Sequence, residues 1–134
     1  MQTRVITLDT SGSPYTDVTS HLNDFCSEAG PDGVVHVFVP HATAGIALME
    51  TGSGSEQDLD EVLRRLLPRD DRWSHRHGSP GHGADHLLPA LVAPSVAIPL
   101  VDGRPALGTW QSLVLVDLNE DNPNRKIRFS FLPA

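Results

Sequence analysis

The chain has almost no cysteine, few aromatic residues and no long apolar run, and each shortage closes off a class of protein. The single cysteine, Cys26, rules out an intrachain disulfide and any cysteine-rich zinc finger; it fits a reducing compartment, with a small buried residue as its ordinary role. Two Trp, one Tyr and four Phe among 134 residues leave most of the packing to aliphatic side chains. No stretch reaches the ~18 apolar residues of a membrane span, and the opening M-Q-T-R-V-I-T-L-D has no apolar signal core, so the cytoplasm is the expected location. Positive charge is also short. Ten Lys and Arg against 17 Asp and Glu give a formal charge of -7, whereas general binding to nucleic acid or an anionic membrane draws on a basic surface.

What is present is the material of one soluble domain spanning 1–134, with hydrophobic residues at 39% and 11 each of Gly and Pro to make turns. Residues 3 to 8, T-R-V-I-T-L, read as a first strand. Val18, Leu22, Phe25, Cys26 and Ala29 recur on one helical face that Gly30-Pro31 stops. V-V-H-V-F-V (34 to 39) is apolar on both faces and is expected at the centre of a sheet, with His36 buried inside it. A short strand, Ile46 to Met49, follows. Leu59, Val62, Leu63, Leu66 and Leu67 then give the clearest helical period in the chain; Ser55 and Asp58 open it in the S-x-x-D pattern of a capping box, and Pro68 ends it. L-L-P-A-L-V-A suits a short helix with Pro89 in its first turn. Three further strands, S-V-A-I-P-L, S-L-V-L-V-D-L and K-I-R-F-S-F-L, complete about six strands and two to three helices. Strands clustered toward the end favour α+β over alternating α/β.

Four of the seven histidines fall between His75 and His86, in a run with three glycines, Pro80 and no hydrophobic period. Such a segment has no apolar face to bury and lies across a surface that other parts of the chain supply. Imidazole is the side chain most readily recruited as metal ligand or proton carrier near neutral pH. The spacing alone does not prove zinc, because neither H-E-x-x-H nor paired cysteines occur, and a solvated loop with incidental histidines is the bland alternative. His41 stands just past a strand end and Glu50 at the end of the next. Asp58 has a structural role in its helix. Gly108, Thr109, Trp110 and Gln111 join an aromatic plate, an amide and a hydroxyl, suited to a planar or phosphorylated ligand or to a buried tryptophan anchoring a turn. Arg125, just before the last strand, is the best-placed cation and a natural fork for phosphate or carboxylate, with a solvated charge as the ordinary state of a lone Arg at a strand start.

H-A-T-A-G-I-A-L-M-E, the D-L of the second helix, W-S-H, A-D-H-L, the V-D-G-R-P-A-L-G-T-W-Q run and the final R-K-I together resemble the YjbQ family, sometimes labelled secondary thiamine-phosphate synthase, over nearly the whole chain. The resemblance implies an α+β, β-sandwich-like protomer in a homotrimer, with a site near the subunit boundaries, and a weak activity joining a pyrimidine pyrophosphate to a thiazole phosphate. By the same resemblance the motif histidines fall on His41, His75 and His86, the acids on Glu50 and Asp58, and the ligand-facing run on Gly108, Thr109, Trp110 and Gln111, followed by Arg125. This chain departs from the pattern at Met49, where an Asn usually precedes the Glu, at Arg76 and His82, where Asn or Asp is common, and in a connection one residue shorter before Asp58.

Two kinds of function follow. A transferase must stabilise a leaving pyrophosphate, with a divalent metal or cationic donors. Glu50 and Asp58 suit a hard cation such as magnesium, and His41, His75 and His86 suit zinc or acid–base work. The rival is a non-catalytic trimer that binds a metal or a small phosphorylated metabolite.

Overall fold

In the computed structural model, which describes residues 1–134, the chain folds into two antiparallel sheets, two long helices and two single-turn helices. Sheet A has five strands in the order β1 (Gln2–Asp9), β8 (Asn124–Pro133), β3 (Gly33–Phe38), β5 (Ser95–Val101) and β6 (Arg104–Pro105). Sheet B has three, β2 (Tyr15–Asp17), β7 (Ser112–Val116) and β4 (Gly45–Met49). The helices are α1 (Thr19–Ala29), α2 (Ser55–Leu66), α3 (His82–Asp85) and α4 (Leu88–Leu91). The α+β architecture with facing sheets is the expected one, and the count of strands exceeds six because β2 and β6 are only three and two residues long.

Two apolar clusters define the layers. The larger joins the inner face of sheet A (Val35, Val37, Ile98, Leu100, Ile127, Phe129) to Ile46, Leu113 and Leu115 of sheet B and to Leu22, Phe25 and Cys26 of α1. The smaller packs Val114 and Val116, on the other face of sheet B, against Leu63 and Leu67 of the α2 segment and Leu88 of α4. Sheet B is therefore a middle layer. Burial on both sides explains why S-L-V-L-V reads as a continuous apolar run rather than an alternation. Cys26 lies in the larger cluster, and burial pushes its thiol up to about 11.

β3 is central in its sheet, paired with β8 on one side and β5 on the other, but only one of its faces is covered. Val34 and Phe38 are exposed and His36 is half-buried, its ring stacked on Phe38 rather than enclosed. The expected buried His36 is thus corrected: its apolar neighbours belong to an open sheet face. The capping box is also absent. Ser55 is already helical, Gly54 takes the N-cap position at φ 96°, and the carboxylate that folds back is Glu56, accepting the Gly52 N–H at 2.9 Å. Pro89 lies as expected in the first turn of α4; Pro99 is not in an edge strand, since β5 lies between β3 and β6, but β6 pairs only with Leu100 and Val101 and leaves Pro99 outside that ladder. The D-G turn is formed by Asp102 at φ 50° and Gly103 at φ 73°, the paired positive angles of a tight hairpin.

Candidate functional site

β7 divides the sequence-nominated residues into two groups at its opposite ends. At its start lie Glu50, one residue past the Met49–Ser112 pairing, and the exposed run Gly108–Gln111. Asp58, in the first turn of α2, is solvent-facing. Trp110 is 74% exposed, which removes the buried-anchor reading, while Gln111 folds back to accept the Gly108 N–H at 2.8 Å. Glu50 accepts a hydrogen bond from Ser53 Oγ at 2.9 Å. At the far end of β7, past Val116, lie Asp117, Asn119 and Asp121, and around them Arg125, His41 and the histidine loop. The six residue steps of extended chain from Gln111 to Asp117 span roughly 20 Å.

Arg125 is not a free fork. Its Nε donates to Asp117 Oδ2 at 2.7 Å and its Nη2 to Asp117 Oδ1 at 3.0 Å and to Thr43 Oγ1 at 2.7 Å. Thr10 Oγ1 and the Asn119 N–H donate to the same carboxylate at 2.8 and 3.1 Å. Arginine and aspartate are both almost fully buried, so the guanidinium is the counter-ion of an interior acid. This corrects the expectation that Arg125 pairs with phosphate, and the distance along β7 corrects its expected sharing of one pocket with Gly108–Gln111 within a protomer. Sequence alone could not reveal the pairing, since Asp117 reads as one more residue of an apolar strand.

The histidines converge, but not in the expected trio. His75, His77, His82 and His86 each present a ring nitrogen to one centre, with all four atoms within 4.8 Å of one another. His41 is not among them. It lies beyond β3, where its Nε2 accepts the Lys126 backbone N–H at 2.8 Å, and burial with the nearby Arg125 charge pulls its pKa down so that the neutral, accepting ring is favoured. His77 and His82, left without a role in the motif pattern, take its place; their density in the sequence was the signal.

Three supports hold the loop. The Trp73 ring joins the smaller cluster and its Nε1 donates to Pro68 O at 2.8 Å. Gly83 brings α3 against the loop so closely that a Cβ there would sit 2.3 Å from the His75 carbonyl oxygen. At the end of α3, buried Asp85 forms an ion pair with Arg69 and accepts from Asn119 Nδ2 at 2.9 Å. Above them opens a cavity of about 170 Å³ with no apolar lining, bordered by His75, His77, His82, Arg76 and Asp71. Burial and the neighbouring imidazoles pull the pKa values of His75 and His86 down, which favours the neutral form of both rings.

A profile described as UPF0047 protein YjbQ-like matches residues 4–134. The chain belongs to this family. The UPF0047 protein Rv2556c of Mycobacterium tuberculosis is 60% identical over 132 residues, which is 98% of each chain. The UPF0047 protein MJ1081 of Methanocaldococcus jannaschii is 33% identical over 112 residues, 82% of this chain and 78% of that protein. Among solved structures, the hypothetical protein APE1520 from Aeropyrum pernix K1 superposes with a TM-score of 0.90 at 29% identity over the whole of both chains. Family membership accounts for the fold; the four-histidine centre is described by this chain's own geometry. No helix is long and apolar enough to cross a membrane.

Proposed function

We propose that the chain works in the cytoplasm as a homotrimer on a small phosphorylated metabolite, with the imidazole-lined cavity as its centre and a transfer of the thiamine-phosphate synthase type as its chemistry. The observation that carries this reading is the convergence of His75 and His86, both at family motif positions and both favouring the neutral form, beside the cavity that Arg76 borders. A neutral imidazole offers a lone pair, either to a proton or to a metal ion that polarises the ligand, and Arg76 supplies a fork for the phosphate of a ligand entering a protein of net charge -7. The protein incubated with a pyrimidine pyrophosphate and a thiazole phosphate is expected to yield the joined product and free pyrophosphate. His86→Asn is expected to cut that rate at least 100-fold with the fold retained, in line with general acid–base contributions of about 10²–10⁴. Product formation unchanged in His86→Asn overturns the assignment.

The wide separation of Trp110 from the histidines favours a second reading in which the cavity binds a metal or phosphometabolite without turnover, as the ring platform is not in reach within one protomer. A depletion screen of small metabolites separates the two, since a catalyst consumes its ligand and a receptor does not.

The open face of sheet A supports the trimer. Val5, Val34, Phe38, Val101 and Leu132 are all exposed, and the register sets Val34 directly between Leu132 and Pro99. An apolar face of this kind is stabilised by burial against other copies. Val34→Glu is expected to reduce the trimer to a 14.5 kDa monomer by light scattering, whereas a trimer that tolerates this charge overturns the placement of the interface.

A further inference from the structure

We propose that His75, His77, His82 and His86 form an all-imidazole site for a borderline divalent transition cation, zinc first. The proposal concerns the cavity of the preceding section but rests on its geometry alone, whatever reaction or ligand that cavity serves. Four ring nitrogens within 4.8 Å of one another are close enough to share one ion. With Zn–N at 2.0–2.1 Å a tetrahedral ion sets its ligand atoms about 3.4 Å apart, so rotamer-scale adjustments of the rings close the shell.

Two further observations point to a ligand at this centre. The Nε2 atom of His75 is buried and has no hydrogen-bond partner, which is costly for a polar atom unless something accepts its lone pair. The Nε2 atoms of His82 and His86 face each other at 2.8 Å. Asp121 Oδ2 lies 2.7 Å from His82 Nδ1 and also accepts from Ser79 Oγ at 3.0 Å. A carboxylate in that position fixes the proton on Nδ1 and leaves the His82 Nε2 lone pair aimed into the cluster, the arrangement by which carboxylates orient metal-bound histidines. One cation satisfies the orphaned His75 nitrogen and both facing Nε2 atoms together.

The donor set also selects the ion. No carboxylate oxygen joins the four nitrogens, so a hard cation such as magnesium finds none of the oxygens it prefers, and imidazole favours zinc, copper, nickel or cobalt. Glu50 and Asp58, the acids considered for a hard metal, are solvent-exposed and outside the group.

The test uses untagged protein stripped with a chelator and then offered Zn(II) or Co(II) alone, with no phosphorylated metabolite. Expected are one Zn(II) per chain by elemental analysis, visible Co(II) absorption of a four-coordinate nitrogen site, and a rise in melting temperature with Zn(II). His77→Ala and His82→Asn should each weaken Zn(II) binding at least tenfold, and Asp121→Asn by about 10–100-fold through loss of orientation alone. His21→Ala, at a position in α1 and outside the group, should leave it unchanged, and far-ultraviolet circular dichroism confirms that every variant compared is folded. Folded wild-type protein that takes up neither ion, or His77 and His82 variants that bind like wild type, overturn the proposal, as does uptake abolished by His41→Ala alone. Zinc uptake without product formation leaves this site standing and removes the transferase reading; product formation without zinc uptake does the reverse.

Discussion

Arg125→Ala is expected to destabilise the fold by about 3–5 kcal/mol, measured as a lowered midpoint of urea unfolding, because it strands the buried Asp117 carboxylate without its counter-charge. Arg125→Lys keeps the charge yet loses the two-point grip on Asp117 and the bond to Thr43. Its expected cost is about 1.5–3 kcal/mol, the range of a hydrogen bond to a charged group. Reading Arg125 as a phosphate fork predicts the opposite, a variant that melts normally and binds ligand poorly. The double variant Arg125→Met with Asp117→Leu separates a structural pair from a binding cation, since removing both charges is expected to recover most of the lost stability. A single Arg125→Ala variant as stable as wild type contradicts the buried pair.

Phe129→Ala carries a comparable penalty, about 3–5 kcal/mol, with part of it due to the cavity left behind. The scarcity of aromatics makes the site sensitive. Three of the four phenylalanines, Phe25, Phe129 and Phe131, lie in the larger core, and the Phe25 and Phe129 rings stack with centroids 5.7 Å apart at the junction of α1 and sheet A. The surrounding valines, leucines and isoleucines are held by two sheets and have little freedom to collapse into the space. Thermal unfolding followed by circular dichroism is the check. A loss below about 1.5 kcal/mol, the ceiling typical of volume-conserving swaps, contradicts this account of the core.

Much of the architecture was legible because it rests on local period: the face of α1, the stripe of α2, the proline of α4 and the D-G hairpin are each set by residues within one or two turns of each other. The sheet faces were less legible. V-V-H-V-F-V and S-L-V-L-V look alike in composition, yet β7 is covered on both sides and β3 on one, and only the packing of α2 over sheet B makes the difference. The site divides along the same line. The density of imidazoles between His75 and His86 marked the loop, and its closure around one point depends on Asp121, Asn119 and Gly83, none of which carries a signal of its own. Arg125 was misplaced for a related reason, since its partner Asp117 is brought to it by β7 and Thr43 arrives from 82 residues away.

The placement of β8 sets the order in which a ribosome can yield a folded molecule. β8 lies between β1 and β3, forming eight register pairs with the first and six with the second, and β1 has no other partner strand. Until residues 124–133 have left the exit tunnel, the opening strand has nothing to pair with and β3 presents a bare edge next to Val35 and Val37. The nascent chain therefore carries adhesive, unpaired strand edges until β8 has emerged and paired with both neighbours. Chaperone dependence should consequently follow the time spent translating the stretch before β8, and ribosome pausing there should favour aggregation even when the finished protein is stable.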